Sequence, residues 1–247
     1  MAKKLFCFEI ASSKTKKKGR PPVTYLFTTV KFSDVTLNVT TIRNFSEENE
    51  AAEKRLGTGV AKKDKAPYYG LIWDSARTLA TIISQKPQGY FEGKHFLELG
   101  AGLALPSMVV AKRGGQATAV DFHPDAKTLL EENLRLNGLE KSPLFTFVLS
   151  DWKGISSLLE NKIDCLIGSD IIYDREKALS LADTILQGFE AGVKEAVIVD
   201  AGRPHLKDFE EKCRSGRLLV ETTPHEISVN KKNVMTFVVT IKKKGGH

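Results

Sequence analysis

Five acidic residues (Glu98, Asp121, Asp151, Asp170 and Asp200) each fall at or close to the end of a short apolar run. A buried strand that ends in an acid beside glycine or serine delivers polar groups to one edge of a parallel sheet, where open α/β folds bind ligands. The most specific pattern runs from Lys94 to Asp121. An apolar run, His95 to Leu99, drops into Gly100-Ala101-Gly102; a helix-compatible segment starts near Leu103 or Leu105; Gly114-Gly115 follows, and a second apolar run closes on Asp121. Gly100 and Gly102 let the backbone turn sharply and admit a ligand closely. The helix start points unpaired N–H groups into the same space. Asp121, at the end of the second strand, is placed to accept from the two hydroxyls of a ribose.

Two details argue against a dinucleotide. Leu105 stands where a phosphate fingerprint needs its third glycine. Glu98, two residues before Gly100, would repel a pyrophosphate and attract a cation. Burying such an acid costs several kcal/mol unless it is partnered, so an idle crossover is the poorer reading.

The elements that must hold these residues follow in order. Val23 to Ile42 alternates as a β-hairpin turning near Ser33-Asp34. Ser46-Glu47-Glu48 opens a short helix or loop to about Lys65, and Gly57 to Ala66 reads as a cover or linker. Asp74, an expected N-cap, starts an amphipathic helix that Pro87 stops. Beyond Asp121 come a helix from Pro124 to Leu136, a strand at Leu144 to Leu149, and a strand at Ile163 to Ile167 leading to Gly168-Ser169-Asp170. A helix from Arg175 to Phe189, a strand at Val193 to Val199 and a helix from Pro204 to Ser215 precede an antiparallel pair at 218–229 and 234–241. The expected fold is therefore α/β and Rossmann-like. Five parallel βα units and a C-terminal antiparallel hairpin make a seven-stranded sheet, and an N-terminal β-hairpin is appended. Residues 1–66 (basic leader, hairpin and cover) read as one region and 67–247 as the catalytic domain.

The 247 residues are enough for one full core. No apolar run approaches the roughly 20 residues that span a bilayer, and the start does not read as a secretory signal. Three scattered cysteines form neither a metal motif nor a disulfide framework, which suits a reducing cytosol. The expectation is a cytoplasmic monomer without a metal. Net charge is +7, with lysines clustered near both termini; no aromatics interleave with them, so nucleic acid is the weaker partner expectation.

Several short motifs occur together in the order and spacing of one family. Asp170-Ile171-Ile172-Tyr173 gives a D-x-x-Y after the fourth strand. Leu71-Ile72-Trp73-Asp74 precedes a helix, Glu98-Leu99-Gly100-Ala101-Gly102 forms the glycine turn, and Asp151-Trp152 follows the third strand. From about Pro67 to Arg203 the sequence resembles the family-16 seven-β-strand protein methyltransferases, which use S-adenosylmethionine (SAM). Pro67-Tyr68-Tyr69 and Asp200-Ala201-Gly202-Arg203-Pro204 are similar to the branch acting on the electron-transfer flavoprotein β-subunit. The E-L-G-A-G form of the glycine turn resembles the chaperone-directed branch instead.

The resemblance implies methyl transfer to a nitrogen of a protein, a lysine first. RNA, a small amine, or SAM or partner binding without catalysis are the alternatives. It implies that Trp73, Gly100, Ala101 and Gly102 shape the cofactor pocket, with Glu98 near the amino-acid end of SAM and Asp121 on the ribose. Asp151 and Trp152 would flank the adenine, Ser169 would line the floor near the sulfonium, and Asp170 and Tyr173 would stand where the substrate amine enters. His123 is expected at the surface or the adenine edge.

Overall fold

The computed structural model of the chain describes residues 24–46, 66–229 and 231–244. The expected basic leader, and the helix or cover from Glu47 to Lys65, lie outside the described residues. Two strands, β1 (Tyr25–Phe32) and β2 (Val35–Ile42), form the expected antiparallel hairpin, turning through Ser33 at φ 47°. The remaining strands are β3 (His95–Leu99), β4 (Gln116–Asp121), β5 (Phe145–Leu149), β6 (Cys165–Ser169), β7 (Glu195–Asp200), β8 (Leu218–Val229) and β9 (Lys232–Lys243). They build one seven-stranded sheet in the order β5-β4-β3-β6-β7-β9-β8. Strands β3 to β7 are parallel, while β9 runs antiparallel to both β7 and β8. The expected Rossmann-like architecture is therefore borne out.

The strand order reverses between β3 and β6. Chain segments leaving these two strands diverge to opposite sides and leave a crevice beyond their carboxyl ends. Alternation along β3 assigns the two faces of the sheet: Phe96 packs into one apolar cluster, Leu97 and Leu99 into the other. Helices α1 (Asp74–Ser84), α2 (Leu105–Lys112) and α3 (Ala126–Leu136) cover the first face. The one-turn α4 (Ser156–Leu159), α5 (Arg175–Glu190) and α6 (Leu206–Ser215) lie with the second.

Helix α2 is apolar all round, and every residue from Leu105 to Ala111 is buried. A helix of that kind needs cover on its outer side as well as a sheet beneath it. The N-terminal hairpin supplies it, with Phe32, Leu37 and Val39 in the same cluster as Met108, Val109 and Leu130. Two asparagines, Asn133 on α3 and Asn137 at its C-cap, hold the hairpin by its backbone. Asn38 N–H donates to Asn137 Oδ1 at 2.9 Å, and Asn137 Nδ2 donates to Asn38 O at 2.8 Å. Asn133 repeats the exchange with Thr40, at 2.7 and 3.2 Å. The side-chain amides thus stand in for a neighbouring strand along that edge of β2.

One local expectation is corrected. The N-cap of α1 is Trp73, in extended conformation (φ −80°, ψ 147°), and Asp74 is the first helical residue. There its charge still faces the positive end of the helix, but its side chain does not cap.

Candidate active site

The crevice at the switch point is a cavity of about 340 Å³. It brings together Trp73, Gly100, Ala101, Gly102, Asp121, Trp152, Ser169, Asp170 and Tyr173 from the sequence-predicted set. These come from five separate stretches of chain. What unites them is the sheet, since β3, β4 and β6 all end at this edge.

The glycine turn is built by backbone geometry. Gly100, Gly102 and Ala104 all take positive φ (60°, 51° and 53°), the left-handed region that disfavours residues with a Cβ. A Cβ at Gly100 would stand 2.5 Å from Ile171 Cγ2, so the segment after β6 closes directly on the turn. Gly102 N–H donates to Asp121 Oδ2 and His123 N–H to Asp121 Oδ1, both at 2.8 Å. A carboxylate offers about four acceptor directions, so acceptor capacity remains for a ligand. Burial pushes the Asp121 carboxyl up from its ordinary range, and the His123 and Gly102 amides hold it back down.

Glu98 lies within the fold and does not line the cavity. Its side chain turns to the start of α2, where Oε2 accepts from Ser107 N–H at 2.9 Å. Burial pushes its carboxyl up to about 8, with the Ser107 bonds opposing. Glu98 therefore holds a proton near neutral pH. Asp151 also lies off the cavity: its Oδ1 accepts from Gly154 N–H at 2.9 Å and caps the turn that presents Trp152. Trp152 is fixed from behind by Nε1 donating to Ser180 Oγ at 3.1 Å.

An aromatic wall that the residue pattern alone did not announce closes the other side. A short 3-10 turn, Tyr68–Gly70, places Tyr68 and Tyr69 on the cavity. Trp73 Nε1 donates to Tyr68 O at 3.1 Å, and the two rings lie 5.9 Å apart. Tyr69 stacks on His123 with centroids 4.4 Å apart. His123 is buried beneath that ring and lines the cavity, so of its two expected positions the surface one is excluded.

At the mouth, Asp170 is itself left-handed (φ 56°) and its N–H donates to Val199 O at 3.0 Å. Non-glycine residues persist in that region where neighbours over-determine them, often at functional sites. The cap of α5 is Asp174, whose side chain accepts from Lys177 N–H at 2.8 Å; Asp170 is thereby spared that structural duty. Its Oδ1 accepts from Arg203 Nη1 at 2.7 Å, and the same nitrogen lies 2.7 Å from Asp200 Oδ2. Burial pushes the Asp170 carboxyl up, and the Arg203 guanidinium is the main opposing force. Tyr173 stands more than a third exposed at the rim. Arg203 was not among the predicted site residues, although Gly202-Arg203 after the fifth strand was a visible signal.

With this geometry in place, comparison with known proteins decides the family. A family model described as "Lysine methyltransferase" matches residues 58–207, more than half of the chain. The chain belongs to the lysine methyltransferase family. That family uses SAM, and the membership bears out the resemblance carried by the short motifs. The electron transfer flavoprotein beta subunit lysine methyltransferase of Rattus norvegicus is 27% identical over 175 residues, covering 70% of this chain and 66% of that protein. The protein N-terminal and lysine N-methyltransferase EFM7 of Candida albicans is 29% identical over 160 residues, covering 57% and 60%. The chain thus matches just under two thirds of these relatives' length. Among solved structures, magnesium protoporphyrin IX methyltransferase of Synechocystis PCC 6803, with SAM bound, superposes with TM-score 0.52 at 13% identity. That match covers 79% of this chain and 90% of the other, and at such identity it speaks to the fold. Among the described residues, no helix is long and apolar enough to cross a membrane.

Proposed function

We propose that this chain transfers a methyl group from SAM to an amino nitrogen of a protein, a lysine side chain first. The observation that carries this reading is the meeting, in one cavity, of a left-handed glycine turn anchored to Asp121 with an acid and a tyrosine at the mouth. The residues present fit SAM on three counts. Gly100, with no Cβ, lets Ile171 close on the turn at the edge of the cavity, Asp121 keeps acceptor capacity for ribose hydroxyls, and Trp152 offers a fixed flat face for an adenine. Bound SAM would supply an electrophilic methyl group on a positively charged sulfur.

The chain's own residues do the rest. Trp73, Ala101, Gly102 and Ser169 shape the wall and floor; Glu98 braces α2 below the turn, and Asp151 braces the turn that carries Trp152. A lysine arrives as an ammonium with an ordinary pKa near 10.4. It must give a proton to water before its lone pair can attack. Asp170 attracts and aims the cation, and Tyr173 guides it from the rim. Positioning of this kind is worth up to roughly 7–11 kcal/mol in well-aligned cases. A protein N-terminal amine is the second acceptor to weigh, because EFM7 is named for both acceptors; its ordinary pKa of about 7.7–8.0 makes deprotonation easier.

The test is transfer of radiolabel from SAM into a fractionated lysate by wild type and by Asp170→Asn. Asparagine tolerates the left-handed backbone, so the substitution removes charge and leaves the turn in place. The expected result is a protease-sensitive, RNase-resistant band that fades at least tenfold in the variant. Label confined to RNA or to small molecules would move the acceptor to those classes.

A further inference from the structure

Three polar groups at the mouth form a chain that neither D-x-x-Y nor the glycine turn accounts for. Asp200 is wholly buried, and its Oδ1 accepts the N–H groups of Gly202 and Arg203, both at 2.8 Å. That pair of backbone hydrogen bonds fixes the turn after β7. Gly202, at φ 84°, is further boxed in, since a Cβ there would meet Phe237 Cε2 at 2.5 Å. The rigid turn delivers Arg203 with one guanidinium nitrogen shared between Asp200 and Asp170.

We propose that Arg203 is a positioning residue for methyl transfer, bridging Asp170 to the buried Asp200 so that the Asp170 carboxylate stays charged and aimed at the incoming nitrogen. The inference rests on the function proposed above. Its physical basis is charge balance. Two buried carboxylates close together cannot both ionise cheaply, and a guanidinium, which does not deprotonate in proteins, lets them. With both acids ionised the trio carries one net negative charge, which suits an ammonium guest. Asp170 is also tied at its own N–H to Val199 O on β7, so its backbone and its carboxylate are held by the same strand and turn. The groups bearing on Asp170 are Asp200 at the end of β7, Arg203 in the turn after it, and Ser75 of α1; Tyr173, Asp121 and His123 line the same cavity.

The pH profile separates this role from a structural one. Around neutrality the transfer rate should climb about tenfold per pH unit as the substrate amine loses its proton. Below the point where Asp170 protonates, a second factor of about ten per unit is added, and the profile breaks. Removing the guanidinium in Arg203→Met should move that break upward by roughly 1–3 pH units, the effect of losing an adjacent opposite charge. Arg203→Lys, which keeps the charge, should return the break most of the way to its wild-type position. A companion measurement needs no substrate: the Asp170 carboxyl carbon is titrated by NMR in wild type and Arg203→Met, and assigned with Asp170→Asn. SAM affinity by calorimetry and the melting temperature establish that each variant is folded. The expected result is the same upward movement in the carboxyl titration and in the rate profile. A uniform loss of rate with the break in place, or an Asp170 titration that Arg203→Met leaves unmoved, overturns the inference. A moved titration in a protein that labels no acceptor would instead count against the proposed reaction.

Discussion

At the residue scale, the acids of this molecule divide by what meets them. Asp121 has two backbone donors, Asp170 has a guanidinium, and Glu98 has one helix N–H in the interior. Glu98 is the one that titrates near neutrality, and its effect on stability has a definite sign. Its ordinary value of 4.5 rises to about 8 on folding because the charged form is desolvated. The folded protein thus keeps a proton that the unfolded chain releases. The stability this confers is complete below about pH 4.5 and is lost progressively as pH rises through about 8. Glu98→Gln keeps an acceptor for Ser107 N–H and cannot ionise. Its melting temperature relative to wild type should match near pH 4.5 and exceed it by several degrees at pH 8.5. A difference that does not grow with pH would mean that Glu98 is ionised in the fold.

At the element scale, the hairpin is part of the core, because its Phe32, Leu37 and Val39 pack in one cluster with Met108 and Val109 of α2. The Asn133 and Asn137 amides fix its position, and each pairs with both polar groups of one β2 residue. Replacing Asn133 with Ala leaves the Thr40 backbone unpaired, a cost of about 1–3 kcal/mol. Hydrogen exchange at the Thr40 amide should accelerate at least tenfold, while the Leu97 amide in the central sheet stays protected. Equal acceleration at both sites would mean that the hairpin opens only with the whole molecule. Much of this level could be read in the sequence. Apolar runs and their glycine or acidic stops placed β3 to β7 within about two residues, because a strand buried on both faces has few other spellings. The Asn–backbone pairing left no such sign, since it joins residues 93 and 99 positions apart. Asp74 misled because the first intrahelical bond runs from Arg77 N–H to Trp73 O, one residue earlier than the capping preference of Asp74 suggests.

At the scale of the whole molecule, the sheet gathers residues that the sequence leaves scattered. The acids at the strand ends were legible as a set, and Gly100, Gly102, Asp121, Trp152, Ser169, Asp170 and Tyr173 do share one cavity. Which acids face the cavity was not legible: Glu98 and Asp151 turn instead to backbone amides, a choice made by side-chain direction within a turn. The Asp170–Arg203 pair joins positions 33 apart and needed the β6–β7 neighbourhood to be seen. The chain carries +7 overall, yet its cavity sets two carboxylates, Asp121 and Asp170, against one guanidinium, Arg203, a local balance that favours a cationic sulfur and a cationic amine. The most direct test of the central claim is to hydrolyse the protein that becomes radiolabelled from SAM and separate its amino acids. The account predicts that the label elutes with N-methylated lysine, or with an N-methylated terminal residue if the second acceptor is the one used. Label eluting with methylated arginine, histidine or a carboxyl ester, or an absence of label in proteins although calorimetry shows SAM bound, would contradict it.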